Sequence, residues 1–191
     1  MDDARREYLV AALRCFRRLG VRRTTMVDIA REAGVTRQTL YNHFPGGKDT
    51  VVGELIVEEA RNVNARARRR LKLGAPAAEL LPDAIVELAL SARRSEFVDV
   101  LIAHEGLAAT SGVIDRSPAV AGVMEEYWEP ILAGLEQRGE LRADLDLHAT
   151  VAWLTFVHVA LVARPDSFRG RRDLTRAAVA AYVVPVLTGA I

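Results

Sequence analysis

The residues best equipped for chemistry stand within one short stretch, Thr36 to Phe44, TRQTLYNHF. At helical spacing Leu40 and Phe44 share one face, and Arg37, Gln38, Thr39, Asn42 and His43 are left on the others. What these side chains offer is recognition rather than bond-making. Arg suits guanine, Gln and Asn suit adenine, and Thr presents a hydroxyl or a methyl group. Arg37, Gln38, Thr39 and Asn42 are therefore the candidate readers of base edges. The same pattern also suits an ordinary helical hairpin with a polar, solvated face.

Such a helix needs a partner to hold it. Thr25 is placed as an N-cap, with Asp28 three residues later as a weaker version of the Glu or Gln of a capping box. Ile29, Ala30 and Ala33 recur at helical spacing, and Gly34 supplies the chain reversal. Val35 follows as an apolar plug, and Thr36 caps the second helix. Ala30 is small enough for a close crossing, and Val35 and Leu40 anchor one helix on the other. The unit reads as a helix-turn-helix. Upstream, Leu9, Ala12, Leu13, Phe16 and Leu19 form the apolar stripe of a first helix over residues 3–19, which Gly20 ends. Arg22 and Arg23 follow, either within reach of a phosphate or minor groove or simply solvated.

The stretch IAREAGVTRQTLYNHF followed by PGGKDTV resembles the DNA-binding segment of the tetracycline-repressor (TetR) family of bacterial transcription regulators. The shared features are the Ile-Ala pair, Ala-Gly-Val at the turn, Leu-Tyr-x-x-Phe closing the recognition helix, and a Lys opening the next helix. The likeness is close over residues 8–56 and only architectural beyond them. It implies that Thr25, Thr36, Tyr41, His43 and Lys48 hold phosphates and set register. A Lys at a helix start gains from the helix dipole in that role. One departure is Gly46-Gly47, where the family usually has one residue fewer between the Pro and the Lys, which leaves the placement of Lys48 open.

Composition and charge agree with this reading. Ala, Leu, Val, Arg and Glu dominate the 191 residues and aromatics are few, which favours an all-α chain of about nine helices. The net charge of +1 hides an asymmetry: residues 1–72 hold 16 Arg/Lys against 9 Asp/Glu, and residues 73–191 hold 10 against 16. A basic N-terminal part suits a polyanion. The cluster Arg66, Arg68, Arg69 and Arg70 is expected to be solvated instead, because Arg70 lies ~33 Å from Lys48 along a helix. Cys15 falls among apolar positions, a packing residue with a redox role as the alternative. The acidic and basic residues at the start argue against a signal peptide, and no run reaches the ~18 apolar residues of a membrane span. A cytoplasmic protein is expected.

Residues 1–47 read as the helix-turn-helix DNA-binding domain and 48–191 as a helical ligand-binding and dimerisation domain, joined by a helix over 48–71. Further helices are expected over about 78–93, 95–109, 118–137 with Pro130 kinking it, 146–163, and 171–188 with Pro185 disturbing its end. Thr110 to Ser117 reads as a loop. The last two helices are apolar nearly all round. A surface helix needs only one stripe, so a second subunit or a deeply central position is required. The resemblance implies a homodimer through a four-helix bundle, with Trp153, Phe156, Val157, Val179, Tyr182, Val183 and Val186 at the interface. It also implies a cavity for a small apolar effector with one or two polar handles. Phe97, Leu101, His104, Met124, Tyr127 and Trp128 are the candidate lining, each equally suited to plain core packing.

Catalytic and metal readings find no support. Glycine-rich phosphate loops, HExxH, GxSxG and paired cysteines are missing, and the four His residues are scattered. No cofactor or metal is expected. The expectation is a transcription regulator, a repressor released by a small ligand and acting as a homodimer on double-stranded operator DNA. A helical small-molecule-binding protein stands against it, as does an activator or a ligand-independent regulator.

Overall fold

The computed structural model describes residues 3–105, 117–164 and 171–189, without the side chains of residues 102–105. Two compact units emerge, one of Met1–Glu59 with Ser95–Val120 and the other of Ala60–Arg94 with Ala121–Ile191. The first unit thus takes in the opening turns of the helix expected at 48 and the helix expected at 95, beyond the three-helix module itself.

In the first unit α1 (Asp3–Leu19) packs on α2 (Met26–Glu32), and α2 crosses α3 (Arg37–His43). The opening turns of α4 (Lys48–Arg68) and α6 (Glu96–Glu105) complete it. Leu9, Ala12, Phe16, Ile29, Leu40, Phe44 and Val51 form the core, which also takes in Cys15. Burial pushes the Cys15 thiol up, which makes it a packing group and a poor nucleophile. Gly20 ends α1 in the left-handed region (φ 81) and its N–H closes on Phe16 O at 2.9 Å. Gly34, at φ 68, turns the chain so that Val35 N–H reaches Ala30 O at 3.0 Å. A side chain would be strained at either position.

The second unit comprises the rest of α4, α5 (Ala77–Ala92), α7 (Pro118–Gln137), α8 (Leu147–Ala163), α9 (Arg172–Tyr182) and α10 (Val184–Thr188). Most of α5 is buried because α8, α9 and α10 all pack against it. Charged groups fasten this arrangement at one edge. Glu87, with its side chain 5% exposed, accepts from Arg70 at 3.3 Å and from Arg172 at 2.8 Å, while Arg176 pairs with Asp83 at 2.7 Å. A buried carboxylate is tolerable only with such partners.

Several expectations need amending. The helix from Lys48 ends at Arg68, not Leu71. Its terminal arginines are not merely solvated: Arg66 donates to Ser91 O, Arg68 to Glu126 O and Tyr127 O, and Arg70 to Glu87. Those carbonyls and that carboxylate belong to distant stretches of sequence, so helix spacing alone does not reveal them. The last helix is interrupted at Val183, two residues before Pro185, which has no N–H for the ladder. The α7 helix has the expected span, Pro118–Gln137, with Pro130 inside it. Residues 106–109 of the sixth expected helix and residues 110–116 of the expected loop lie outside the described residues. Among the described residues no helix is long and apolar enough to cross a membrane.

Candidate nucleic-acid interface

The candidate interface is set up by caps. Thr25 Oγ1 accepts from Asp28 N–H at 3.2 Å, and the Asp28 carboxylate accepts from Thr25 N–H at 2.9 Å and from its hydroxyl at 2.6 Å. This is a complete capping box built with Asp, where the sequence suggested only a partial one. The bonds from Thr25 hold the Asp28 carboxyl below its usual range. Both donors of Thr25 are thereby committed to Asp28. At the start of α3, Thr36 Oγ1 accepts from Thr39 N–H at 3.1 Å and lies 2.8 Å from Thr39 Oγ1. When Thr39 donates across that pair, the Thr36 hydroxyl proton stays available for an outside acceptor.

On α3 itself Leu40 is buried, while Arg37, Gln38 and Asn42 are exposed and Thr39 is half-buried. Gln38 Nε2 donates to Asn42 Oδ1 at 3.0 Å, linking the two amides one turn apart. That bond leaves Gln38 an N–H and its carbonyl oxygen, enough for a bidentate contact, and leaves the Asn42 amide hydrogens unspent. The guanidinium of Arg37 lies 5.2 Å from the Tyr41 ring centroid, a cation–π contact that restricts it without using an N–H. Among the described residues no hydrogen bond or ion pair engages Arg37. Arg37, Gln38 and Asn42 thus share the exposed side of α3, with Thr39 half-buried beside them.

The five residues implied as phosphate contacts are arranged differently. Tyr41 and Lys48 line an open cleft of about 470 Å³ together with Arg22, Thr25, Gly46 and Gly47. Lys48 Nζ donates to Val21 O at 3.0 Å and to Arg22 O at 3.1 Å, fastening the start of α4 to the turn after α1. One of its three ammonium hydrogens remains. Gly47, at φ 70, passes close under Tyr41: an added Cβ would stand 3.6 Å from the ring. His43 is half-buried, its ring edge-on to Tyr8 at 5.0 Å.

Sequence reasoning overlooked Arg5. It donates to the His43 carbonyl at 2.5 Å, pairs with Glu54 through its Nε at 2.7 Å, and lies 4.6 Å from the Phe44 ring centroid. One guanidinium therefore ties α1, the end of α3 and α4 together. No local pattern signals this, because Arg5, His43 and Glu54 are far apart in the chain.

The remaining candidates divide between the two units. Phe97 and Leu101 are buried in the core of the first, and Met124, Tyr127 and Trp128 in the core of the second. Tyr127 donates to Ala84 O at 3.0 Å, and burial pushes its hydroxyl well above the usual range. The side chain of His104 lies outside the described residues. Of the proposed interface residues, Val179 and Val183 are buried within their own unit. Trp153, Phe156, Tyr182 and Val186 are 48%, 63%, 79% and 53% exposed, and the first two stack at 5.6 Å. Val157 is half-buried. Among the described residues no group of His, Cys, Asp or Glu is placed to hold a metal ion.

Residues 9–55 match the family described as bacterial regulatory proteins, tetR family. The chain is 32% identical to ArpR of Pseudomonas putida over 179 residues, covering 87% of this chain and 83% of that protein. It is 31% identical over 165 residues to the HTH-type transcriptional regulator TtgR, also of Pseudomonas putida, covering 82% and 77%. A tetR-family transcription regulator from Shewanella sp. PV-4 has the same fold, with a TM-score of 0.68 at 19% identity over 97% of this chain and 98% of that one.

Proposed function

The chain belongs to the tetR family of bacterial regulatory proteins, DNA-binding transcription regulators and not enzymes, and from that premise we propose that it is a homodimeric repressor released by a small effector. The observation that carries the reading is α3, buried at Leu40 and exposed at Arg37, Gln38 and Asn42. Two such helices in a dimer enter successive major grooves of a pseudo-palindromic site. Arg37, Gln38, Thr39 and Asn42 read bases. Thr36, Tyr41 and the remaining Lys48 hydrogen hold phosphates, and Thr25 and His43 serve that register through the capping box and the Tyr8 contact.

The dimer reading is supported by the exposed side chains Trp153, Phe156, Tyr182 and Val186 on α8, α9 and α10. Exposed aromatics gathered near the chain end are the composition of an interface core. An effector acts by favouring a dimer geometry whose recognition helices no longer match the groove spacing.

Selection of random duplex DNA by the purified protein at two salt concentrations tests this. An enriched inverted repeat, bound less tightly at higher salt, is the expected result. No enrichment, or binding indifferent to salt, would leave a helical small-molecule-binding protein whose N-terminal module docks protein partners. A reporter carrying the selected site checks the sign of regulation: higher expression with the protein present would make it an activator.

A further inference from the structure

The α3 helix is seven residues long, too short to hold itself in water, so its aim depends on what fastens its two ends. The start is fastened to α2. Val35 N–H bonds to Ala30 O at 3.0 Å across the turn, and Thr36 caps the first turn through Thr39 N–H. The other end is fastened by α1. Arg5 Nη1 donates to the His43 carbonyl at 2.5 Å, one of the carbonyls that a helix end leaves without an internal partner. The same guanidinium lies 4.6 Å from the ring centroid of Phe44, and Tyr8, three residues further along α1, meets the His43 ring.

The guanidinium is itself held in place. Glu54, in the opening turns of α4, accepts from Nε at 2.7 Å and also from Nη2, a bidentate pair that fixes the plane of the fork. The two side chains are 29% and 30% exposed, so water screens this pair less than a surface one. Arg5 therefore offers Nη1 to His43 O from a fixed direction. Asn42 immediately precedes His43, and Arg37 stands at the start of α3, ~7.5 Å away along the axis. A tilt of about 10° around the fastened start would carry Asn42 through ~1.3 Å and leave Arg37 nearly in place. Hydrogen bonds to base edges tolerate only a few tenths of an ångström, whereas phosphate contacts carry no sequence information. Resting on the reading of α3 as the base-reading helix, we propose that Arg5, held by Glu54, is a specificity-determining residue. It touches no base, and it sets the tilt of α3 that brings Asn42 to its base pair.

The test takes the duplex selected by the full natural chain and measures affinity for each of its single-base variants. Asn42→Ala and Arg37→Ala identify the base pair that each of those residues reads. Arg5→Ala and Arg5→Lys are then compared with the natural protein at matched concentrations of folded chain. Lysine keeps a charge for Glu54 but, as a point charge, cannot span both of its partners. Both Arg5 variants are expected to discriminate at least fivefold less at the Asn42 base pair. Discrimination at the Arg37 base pair, and the salt slope on random DNA, should stay within twofold of the natural protein. An arginine that only held the fold would lower the thermal midpoint and leave discrimination intact. Should Arg5→Ala fail to fold, Arg5→Lys carries the test. Unchanged discrimination at the Asn42 base pair, equal losses at both base pairs, or a natural profile for Asn42→Ala would overturn the proposal. A natural protein that selects no inverted repeat would remove the regulator reading and this inference with it. One that selects its site while Arg5→Lys keeps the natural profile loses only this inference.

Discussion

Arg68 supplies to α7 the hydrogen bond that Pro130 cannot make. In a helix the carbonyl of Glu126 would accept from the N–H of residue 130, and proline has none. Arg68 Nη2 donates to that carbonyl at 2.7 Å and to the neighbouring Tyr127 carbonyl at 2.6 Å. The guanidinium also lies 5.5 Å from the Tyr127 ring centroid. A long helix therefore continues through a proline because a side chain of another helix repairs the open rung.

Arg68→Ala is accordingly expected to destabilise the protein by ~1–3 kcal/mol, the scale of losing charged hydrogen bonds to partly buried carbonyls. Pro130→Ala restores the backbone donor, so in that background the cost of Arg68→Ala should shrink. Urea unfolding of the four proteins in a double-mutant cycle measures the coupling. Equal costs in both backgrounds would show that Arg68 does something else.

His158 makes stability depend on pH. Its folded-state pKa is pushed down to about 4 by burial, from an ordinary 6.5. Between these values the unfolded chain binds the proton and the native one does not, so stability falls as pH drops from about 6.5 towards 4. The full loss is ~3 kcal/mol at about 1.4 kcal/mol per unit. Unfolding midpoints at pH 7.5, 6 and 5 should fall for the natural protein, and His158→Phe should remove most of that slope. An unchanged slope in the variant would place the effect on other groups.

Two substitutions separate reading from holding. Arg37→Ala is expected to cost ~1–3 kcal/mol of operator affinity and to relax preference at one base pair. Equal losses on every sequence would remove its base-reading role. Lys48→Ala should weaken binding to all sequences and flatten the salt dependence. Because Lys48 also fastens two carbonyls, its thermal midpoint should drop as well, which a mere surface phosphate contact would not cause.

Phe156→Glu should place a charge on the exposed face of α8 without touching its own core, since this side chain is 63% exposed. Sedimentation is expected to show a folded monomer, with operator affinity falling at least tenfold because the two half-sites are no longer bound as a pair. A variant that stays dimeric would move the interface away from this face.

Much of the DNA-reading module is legible from local pattern. Caps at Thr25 and Thr36, the reversal at Gly34 and the outward set Arg37, Gln38 and Asn42 all depend on residues within five positions of each other, where helix geometry settles which face each occupies. The single stripe of α1 is legible for the same reason. The second unit is harder to read. Apolar residues surround α5 and α8, so periodicity does not say which side meets α9 and which side is left exposed. Met124, Tyr127 and Trp128 pack in one core and Phe97 and Leu101 in another, a division that composition does not carry.

The amino-acid sequence by itself determined the helices, their caps and breaks, the outward-facing residues of α3 and the family, because these rest on short-range spacing and on residue type. Tertiary structure alone decided the partners of the long charged side chains. Arg5 meets His43 and Glu54, Lys48 meets Val21 and Arg22, Arg68 meets Glu126, and Arg172 meets Glu87. It also decided which buried polar atoms have no hydrogen-bond partner among the described residues, at Asn64, Trp128 and His158. An Arg or Lys reaches several ångströms beyond its backbone and donates to almost any carbonyl or carboxylate it finds there. Its partner is therefore chosen by how distant segments pack, which local spacing does not encode.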